Sequence, residues 1–209
     1  MDYVKYPSTP HITRSQTINK DDIVGSIDHL LNTDVVITEK MDGEATTMYN
    51  DHIHARSIDS NNHPSRNFVK NMWGELSYKI PKHIRICGEN MYAQHSIYYE
   101  NLDSYFLVYN TWENNICLDI EETVGMCNSL GLTHVPILYR GVLTMRILSD
   151  IINSLDTDKQ EGIVIRNAGS FKYEDFDENV FKWVRKNHVQ TDEHWTRQEI
   201  VPNKLKEKR

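Results

Sequence analysis

The stretch from Val35 to Ser57 constrains this chain more than any other. Val35-Val36-Ile37-Thr38 is β-branched throughout and reads as a strand, which runs without a break into Glu39-Lys40-Met41-Asp42-Gly43-Glu44. Gly43 permits a tight turn and a close approach of backbone to a ligand. Ala45 to Tyr49 is then the next strand, Asn50-Asp51 a turn, and His52 to Ser57 the hairpin partner. A lysine is thereby delivered at a strand end beside a turn, an unusual setting for a merely solvated charge.

The rest of the chain supplies more strands than helices. Ile84 to Met91, Tyr105 to Trp112, Gly162 to Arg166 and Val180 to Val184 read as strands. Helices are expected over Asp21 to Leu31, from Pro64 onwards with caps among Ser60 to Asn62, over Asp119 to Leu130, and over Thr144 to Leu155. Asp119 and Thr144 are the N-caps of the last two, and Gly131 is the stop of the first of these. Phe68, Met72 and Leu76 recur every four residues and read as a core-facing stripe. Strands in hairpin order with helices interspersed place the chain in the α+β class, with mostly antiparallel sheet.

Composition narrows the function. Hydrophobic residues make up 39% of the 209 and charged residues 25%, enough for a buried core in one compact domain. No apolar run is long enough for a membrane span, and the first residues do not form a signal peptide. Cys87, Cys117 and Cys127 form no C-x-x-C pair, so a reducing cytoplasm is the expected setting. The net charge of -7 is unusual for a nucleic-acid binder, although a local groove can be positive on an acidic protein. Lys182 to His188 and residues 203–209 are locally basic, the latter expected as a solvated, frayed tail.

Chemistry centres on Lys40. To act as a nucleophile its amine must lose a proton, which burial and neighbouring cations favour. The K-x-D-G string is short, but it is followed in order by His54-Ala55-Arg56-Ser57, Cys87-Gly88-Glu89-Asn90, Tyr105-Phe106-Leu107-Val108-Tyr109, Glu161-Gly162-Ile163-Val164-Ile165 and Phe181-Lys182-Trp183. A zinc site drawn from His52, His54, His188 and His194 matches no strong ligand spacing.

The ordered series resembles the covalent nucleotidyltransferase superfamily of ATP-dependent ligases and capping enzymes. HARSID, GENMYAQHSIYY and KWVRKNHVQTDEHW are most similar to small phage and bacterial RNA ligases. The resemblance implies the antiparallel nucleotidyltransferase fold over residues 1–209 as a single domain. DNA ligases and capping enzymes usually append an oligonucleotide-binding barrel, and the residues after His188 are expected to be too few for one. It implies ATP as AMP donor, a divalent cation (Mg2+ or Mn2+), and RNA 5′-phosphate and 3′-hydroxyl ends as substrates. Lys40 would carry AMP as a phosphoramidate, and Lys182 would neutralise the α-phosphate. Arg56 and Glu89 would bind the ribose and Phe106 would stack on adenine, with Tyr105 or Tyr109 as substitutes if Phe106 is core. Glu161 would hold the cation or orient Lys40, Glu44 would be a metal-side or nucleotide-side carboxylate, and Glu39 and Asp42 would complete the nucleotide site, Asp42 as an organiser of the lysine. Relatives often carry a second lysine where this chain has Val184; strand alternation makes Lys186 the preferred substitute over Arg185. The same lysine would also serve a DNA ligase or a GTP-dependent capping guanylyltransferase, and a non-catalytic nucleotide- or RNA-binding module is the alternative of a different class.

Overall fold

A computed structural model of the chain describes residues 3–60, 62–186 and 199–207. His188, His194 and most of the KWVRKNHVQTDEHW stretch lie outside the described residues. In chain order the strands are β1 (His11–Ile12), β2 (Val24–Gly25), β3 (Asp34–Lys40), β4 (Glu44–Met48), β5 (Ile53–Ala55), β6 (Ile84–Asn90) and β7 (Phe106–Glu113). They continue with β8 (Ile116–Cys117), β9 (Thr133–His134), β10 (Ile137–Val142), β11 (Gly162–Asn167), β12 (Phe171–Lys172) and β13 (Val180–Val184). The main helices are α1 (Asn67–Leu76), α2 (Ile120–Leu130) and α3 (Met145–Ser154).

These strands form two sheets. The first runs β10-β3-β11-β13-β1-β2 and the second β12-β8-β7-β6-β4-β5, with β9 beside β7. The long pairings are antiparallel, as expected for an α+β chain whose strands follow one another in hairpins; the parallel ones involve only the short β1, β2 and β9. α3 covers the outer face of the first sheet, where Leu148 packs on Val35, Ile37, Ile163, Ile165 and Phe181. α1 and α2 cover the second, where Val69, Leu76 and Cys127 meet Met48, Ile84, Ile86 and Val108. The inner faces meet through Cys87, Trp112, Cys117, Phe171, Phe176 and Val180. Beside this contact the sheets leave a cleft between them.

Local sequence rules account for the helix ends. Asp119 and Glu122 form a reciprocal capping box on α2, and Gly131, at φ 69°, closes it in the left-handed conformation. Thr144 accepts the Ile147 N–H at the start of α3. Two expectations are corrected. The helix expected over Asp21 to Leu31 is instead β2 followed by a single 3-10 turn, Asp28–Leu30. Gly25 explains the change: a Cβ there would sit 2.7 Å from the Phe181 ring, so the chain lies flat against the sheet and pairs with β1. At the start of the helical segment with Pro64, His63 rather than residues 60–62 accepts the capping N–H, that of Ser65. In α1 itself, Val69 and Leu76 are buried while Phe68 stays exposed at the rim.

The centre of the first sheet depends on Gly162. It pairs with Lys40 on one side and Val184 on the other, and a Cβ there would lie 2.0 Å from the Trp183 carbonyl oxygen. Gly162→Ala is therefore expected to lower stability by about 1–3 kcal/mol through overpacking, read as an earlier midpoint in urea unfolding.

Candidate active site

Lys40 is the last residue of β3, and its Nζ lies 2.5 Å from Glu161 Oε2. Glu161 precedes the first residue of β11, so the register that pairs Gly162 with Lys40 also brings the carboxylate to the amine. Both side chains are largely withdrawn from water, at 25% and 5% exposure. Burial pushes the Lys40 amine down in pKa, but Glu161, Glu89 and Asp42 outweigh it, and the net direction is up. The lysine is thus stored as an ammonium ion in the free protein, and must give up that proton before it can act as a nucleophile. Burial also raises Glu161, against the opposing pull of Lys40.

Glu89 lies on β6 at the cleft wall, and burial, together with the nearby Glu161 and Asp42, pushes its carboxyl up to about 8. At neutral pH it holds its proton, so it adds no third negative charge to those of Glu161 and Asp42 around Lys40. Gly43 packs against this strand: a Cβ at that position would be 2.6 Å from the Asn90 carbonyl oxygen. Glycine is what lets the turn after Lys40 press onto β6. Lys182, on β13, also faces the cleft, and burial and the neighbouring Lys40 lower its pKa.

The cleft has a volume of about 280 Å³, near the small end of the roughly 300–1,000 Å³ of small-molecule sites. Lys40, Glu39, Arg56, Glu89 and Lys182 all line it, as the sequence led us to expect of them. Glu39 accepts from the Gln160 side-chain amide at 2.9 Å, and Arg56 donates to the Ser8 hydroxyl at 3.2 Å. Asp42 faces away from the cleft: its Oδ2 accepts from the Ser96 N–H, the Ser96 hydroxyl and the Ile97 N–H at 2.7, 2.6 and 2.9 Å. That is the geometry of an organiser of the lysine turn rather than of a nucleotide contact.

Three expected contributors are placed elsewhere. Phe106 is fully buried on the helix-covered face of the second sheet, against Gly88, where a Cβ would be 2.6 Å from its ring. Tyr109 takes the aromatic position on the cleft. The ladder shifts there, with Cys87 opposite Asn110 but Gly88 opposite Val108, so Tyr109 is the extra residue of a β-bulge. A bulge breaks the in-out alternation, and Tyr109 and Asn110 both face the cleft. Glu44 is not free to hold a cation: Arg66 grips both of its oxygens, Nε to Oε2 at 2.7 Å and Nη2 to Oε1 at 2.5 Å. Lys186 lies beyond the end of β13 and is exposed, while Val184 is buried in the row that contains Lys40 and Gly162. The nearby Arg185 is buried, and its N–H donates to the Glu161 carbonyl at 3.0 Å, so it braces the strand end.

Sequence reading missed the far wall. Residues 6–9 line the cleft, and Tyr6 accepts at its hydroxyl from Asn110, whose Oδ1 in turn accepts from Arg166 at 2.6 Å. Nothing in the polar opening segment signals this, because the partners are distant in sequence. His52 stacks on Tyr3, and among the described residues no three His, Cys, Asp or Glu side chains converge as a metal site. No helix among the described residues is long and apolar enough to cross a membrane.

Two antiparallel sheets enclosing a lysine and its carboxylates define the nucleotidyltransferase fold of ligases. Solved structures share it: an archaeal ATP-dependent RNA ligase, at TM-score 0.60 and 18% identity, is matched over 87% of this chain and 48% of its own. A putative ATP-dependent DNA ligase from Aquifex aeolicus gives 0.55 and 18%, over 92% of this chain and 56% of its own. A Naegleria gruberi RNA ligase mutant with ATP and Mn gives 0.50 and 18%, over 78% and 53%. The chain thus spans about half the length of these proteins. No curated protein matches it in sequence. The family model for RNA ligase matches residues 33–184, and the chain belongs to the RNA ligase family.

The Glu89 proton has a consequence for stability. Its folded pKa, about 8, exceeds the ordinary 4.5, so this group's contribution is fully present below about 4.5 and drains away as pH rises through about 8. Glu89→Gln, which cannot titrate, is expected to flatten the fall of unfolding free energy across that window in urea melts. Glu161, shifted the same way, leaves part of the slope in place.

Proposed function

We propose that this protein is an ATP-dependent RNA ligase that carries AMP on Lys40. The observation that carries the reading is the largely buried contact of Lys40 with Glu161 at 2.5 Å, with Lys40 lining a cleft that Lys182 and Arg56 also line. Membership of the RNA ligase family supports the choice of RNA ends as substrates. The ATP and Mn bound by the Naegleria gruberi relative support the choice of cofactors.

Glu161 Oε2 is the immediate acceptor for a proton leaving Lys40 Nζ, and burial, by raising its pKa, makes it a better base. The free amine forms a bond to the α-phosphorus of ATP, and the bond to pyrophosphate breaks. Lys182 lies on the same face and offsets the charge that builds on the α-phosphate. Tyr109 stacks on the base, while Arg56 and Glu89 hold the ribose. AMP then passes to an RNA 5′-phosphate, and attack by a 3′-hydroxyl forms the phosphodiester and releases AMP. The surplus of cations over ionised carboxylates lining the cleft, with Glu89 protonated, suits a polyphosphate.

The donor set also suits a divalent cation that arrives with the nucleotide. Mg2+ is commonly held by one or two carboxylates together with phosphate oxygens and water, and Glu39 and Glu161 are the carboxylates at hand. Such a cation would screen phosphate charge. The three free cysteines, all buried, fit action in the reducing cytoplasm.

The decisive experiment incubates the purified protein with Mg2+ and ATP labelled at the α-phosphate, followed by a denaturing gel. Label on the wild type and none on Lys40→Ala is expected. Label from GTP alone would move the reading to a capping enzyme, and none from either, on protein not already adenylylated, to a binding module. Matched nicked duplexes with RNA or DNA 3′-hydroxyl strands separate RNA from DNA sealing. In the same assay Tyr109→Ala is expected to weaken ATP binding by about 1–3 kcal/mol, the range for loss of one base-stacking ring. Phe106→Leu is expected to lower stability and leave ATP affinity unchanged.

A further inference from the structure

Residues 203–207, the described part of the segment expected as a frayed tail, are docked by hydrogen bonds, although Asn203 alone among them is buried. Pro202 bridges Ala93 and Leu205 bridges Leu102. The Gln94 N–H donates to the Val201 carbonyl at 2.8 Å, the Lys204 N–H to the Tyr99 carbonyl at 2.8 Å, and the Leu102 N–H to the Lys204 carbonyl at 2.9 Å. Asn203 is the centre of this contact and is only 1% exposed. Its side-chain amide donates to the Met91 carbonyl at 2.8 Å, and its Oδ1 accepts the Tyr99 N–H at 2.9 Å. Its backbone N–H donates to the Tyr92 carbonyl at 2.9 Å, and its carbonyl accepts the Tyr105 hydroxyl at 2.8 Å. A buried asparagine that satisfies these backbone groups from 91 to 99 at once fixes their path, because each would cost about 1–3 kcal/mol if left unpaired.

The loop it fixes is the one that holds Asp42. Ser96 and Ile97 supply all three donors to the Asp42 carboxylate, and the Asp42 N–H donates to the Tyr99 hydroxyl at 3.1 Å. Tyr99 therefore touches Asp42 through its hydroxyl and Asn203 through its backbone. Apolar packing runs along the same line, since Met41 is buried with Met91, Leu102 and Leu107, and Tyr99 and Tyr105 pack against them. Met41 and Asp42 are the two residues that follow Lys40.

We infer that Asn203 is a positioning residue for the Lys40 nucleophile, acting through Tyr99 and the 91–99 loop on Asp42 and the lysine turn. The inference rests on Lys40 being the nucleophile. It gives Asn203 a part in placing the lysine although no residue from 201 to 206 lines the cleft. Of the walls that would hold ATP, residues 6–9, Arg56 and Val164 have no bond to this segment among those above, and Tyr109 meets it only through the apolar cluster around Met41. Loss of the latch should thus slow bond formation and spare ATP binding.

The test measures single-turnover labelling of Lys40 across ATP concentrations for the wild type, Asn203→Ala, Asn203→Asp, Tyr99→Phe and Lys206→Ala. Asn203→Ala is expected to lower the rate at saturating ATP by about ten- to a hundred-fold, the scale of a misplacement near 1 Å, with KM changed less than about threefold. Asn203→Asp, which keeps the acceptor for the Tyr99 N–H, should recover part of the rate. Tyr99→Phe, which removes only the oxygen that receives the Asp42 N–H, should show a smaller loss of the same kind. Lys206→Ala breaks only the exposed pair with Asp103 and should match the wild type. Hydrogen exchange supplies a readout independent of catalysis: the Ser96 and Ile97 amides should lose protection in Asn203→Ala while β11 keeps its own. An unchanged labelling rate in folded Asn203→Ala, or a loss confined to KM, overturns the inference. If Asn203→Ala does not fold, Tyr99→Phe decides, and wild-type labelling there overturns it. Should the wild type itself take no label, the functional reading fails, and retained protection of Ser96 and Ile97 would overturn the latch separately.

Discussion

A buried lysine cannot stand alone between two sheets, and the Lys40–Glu161 pair is the arrangement on which the rest of the site depends. Removing a charged amine from water costs several kcal/mol unless a counter-charge meets it closely. Here the counter-charge comes from a residue distant in sequence, delivered by the register between β3 and β11. Gly162, which pairs with Lys40 in that register, admits β13 on its other side, where a Cβ would run into the Trp183 carbonyl. Fold and chemistry are thus joined through one strand pairing: a slip by one residue would turn Lys40 into the α3-covered core and leave Glu161 unpaired.

Around that pair the molecule manages its charge by division. Glu89 stays protonated, Glu44 is neutralised by Arg66, and Asp42 is occupied by amide and hydroxyl donors. Acidic residues are therefore frequent near the lysine without making the cleft repel an anion. This reconciles a chain of net charge -7 with membership of a family that handles nucleic-acid ends. The average charge says little because the acids that matter are silenced one by one.

Much of this was legible in the sequence, and what was not has specific causes. The β-branched run before Lys40, the capping residues Asp119 and Thr144 and the stop at Gly131 act through near neighbours, so local chemistry sufficed to read them. Lys40, Arg56, Glu89 and Lys182 were legible as a set because their order matched a known family, and the structure brings them to one cleft. Phe106 misled because the family motif alone pointed to it: on an unbroken stretch of the ladder it shares the helix-covered face with Val108, while Tyr109 stands on the cleft. Glu44 misled because its partner, Arg66, belongs to a segment whose approach no local pattern announces. The segment around Asn203 looked like tail for a related reason: its hydrogen bonds are almost all to backbone groups a hundred residues away, and backbone partners leave no trace in composition.

The protonated state of Glu89 carries a consequence for any study of ligands. A carboxyl that titrates near neutrality, beside a cleft that would receive polyphosphate, exchanges protons with the buffer whenever its surroundings change. Heats of binding measured by calorimetry would then include the ionisation heat of the buffer, and would differ between phosphate and Tris at the same pH. Affinities gathered at pH 7 and at pH 9 would describe two differently charged receptors. The strand that carries Glu89 thus makes proton uptake or release part of the thermodynamics of this cleft.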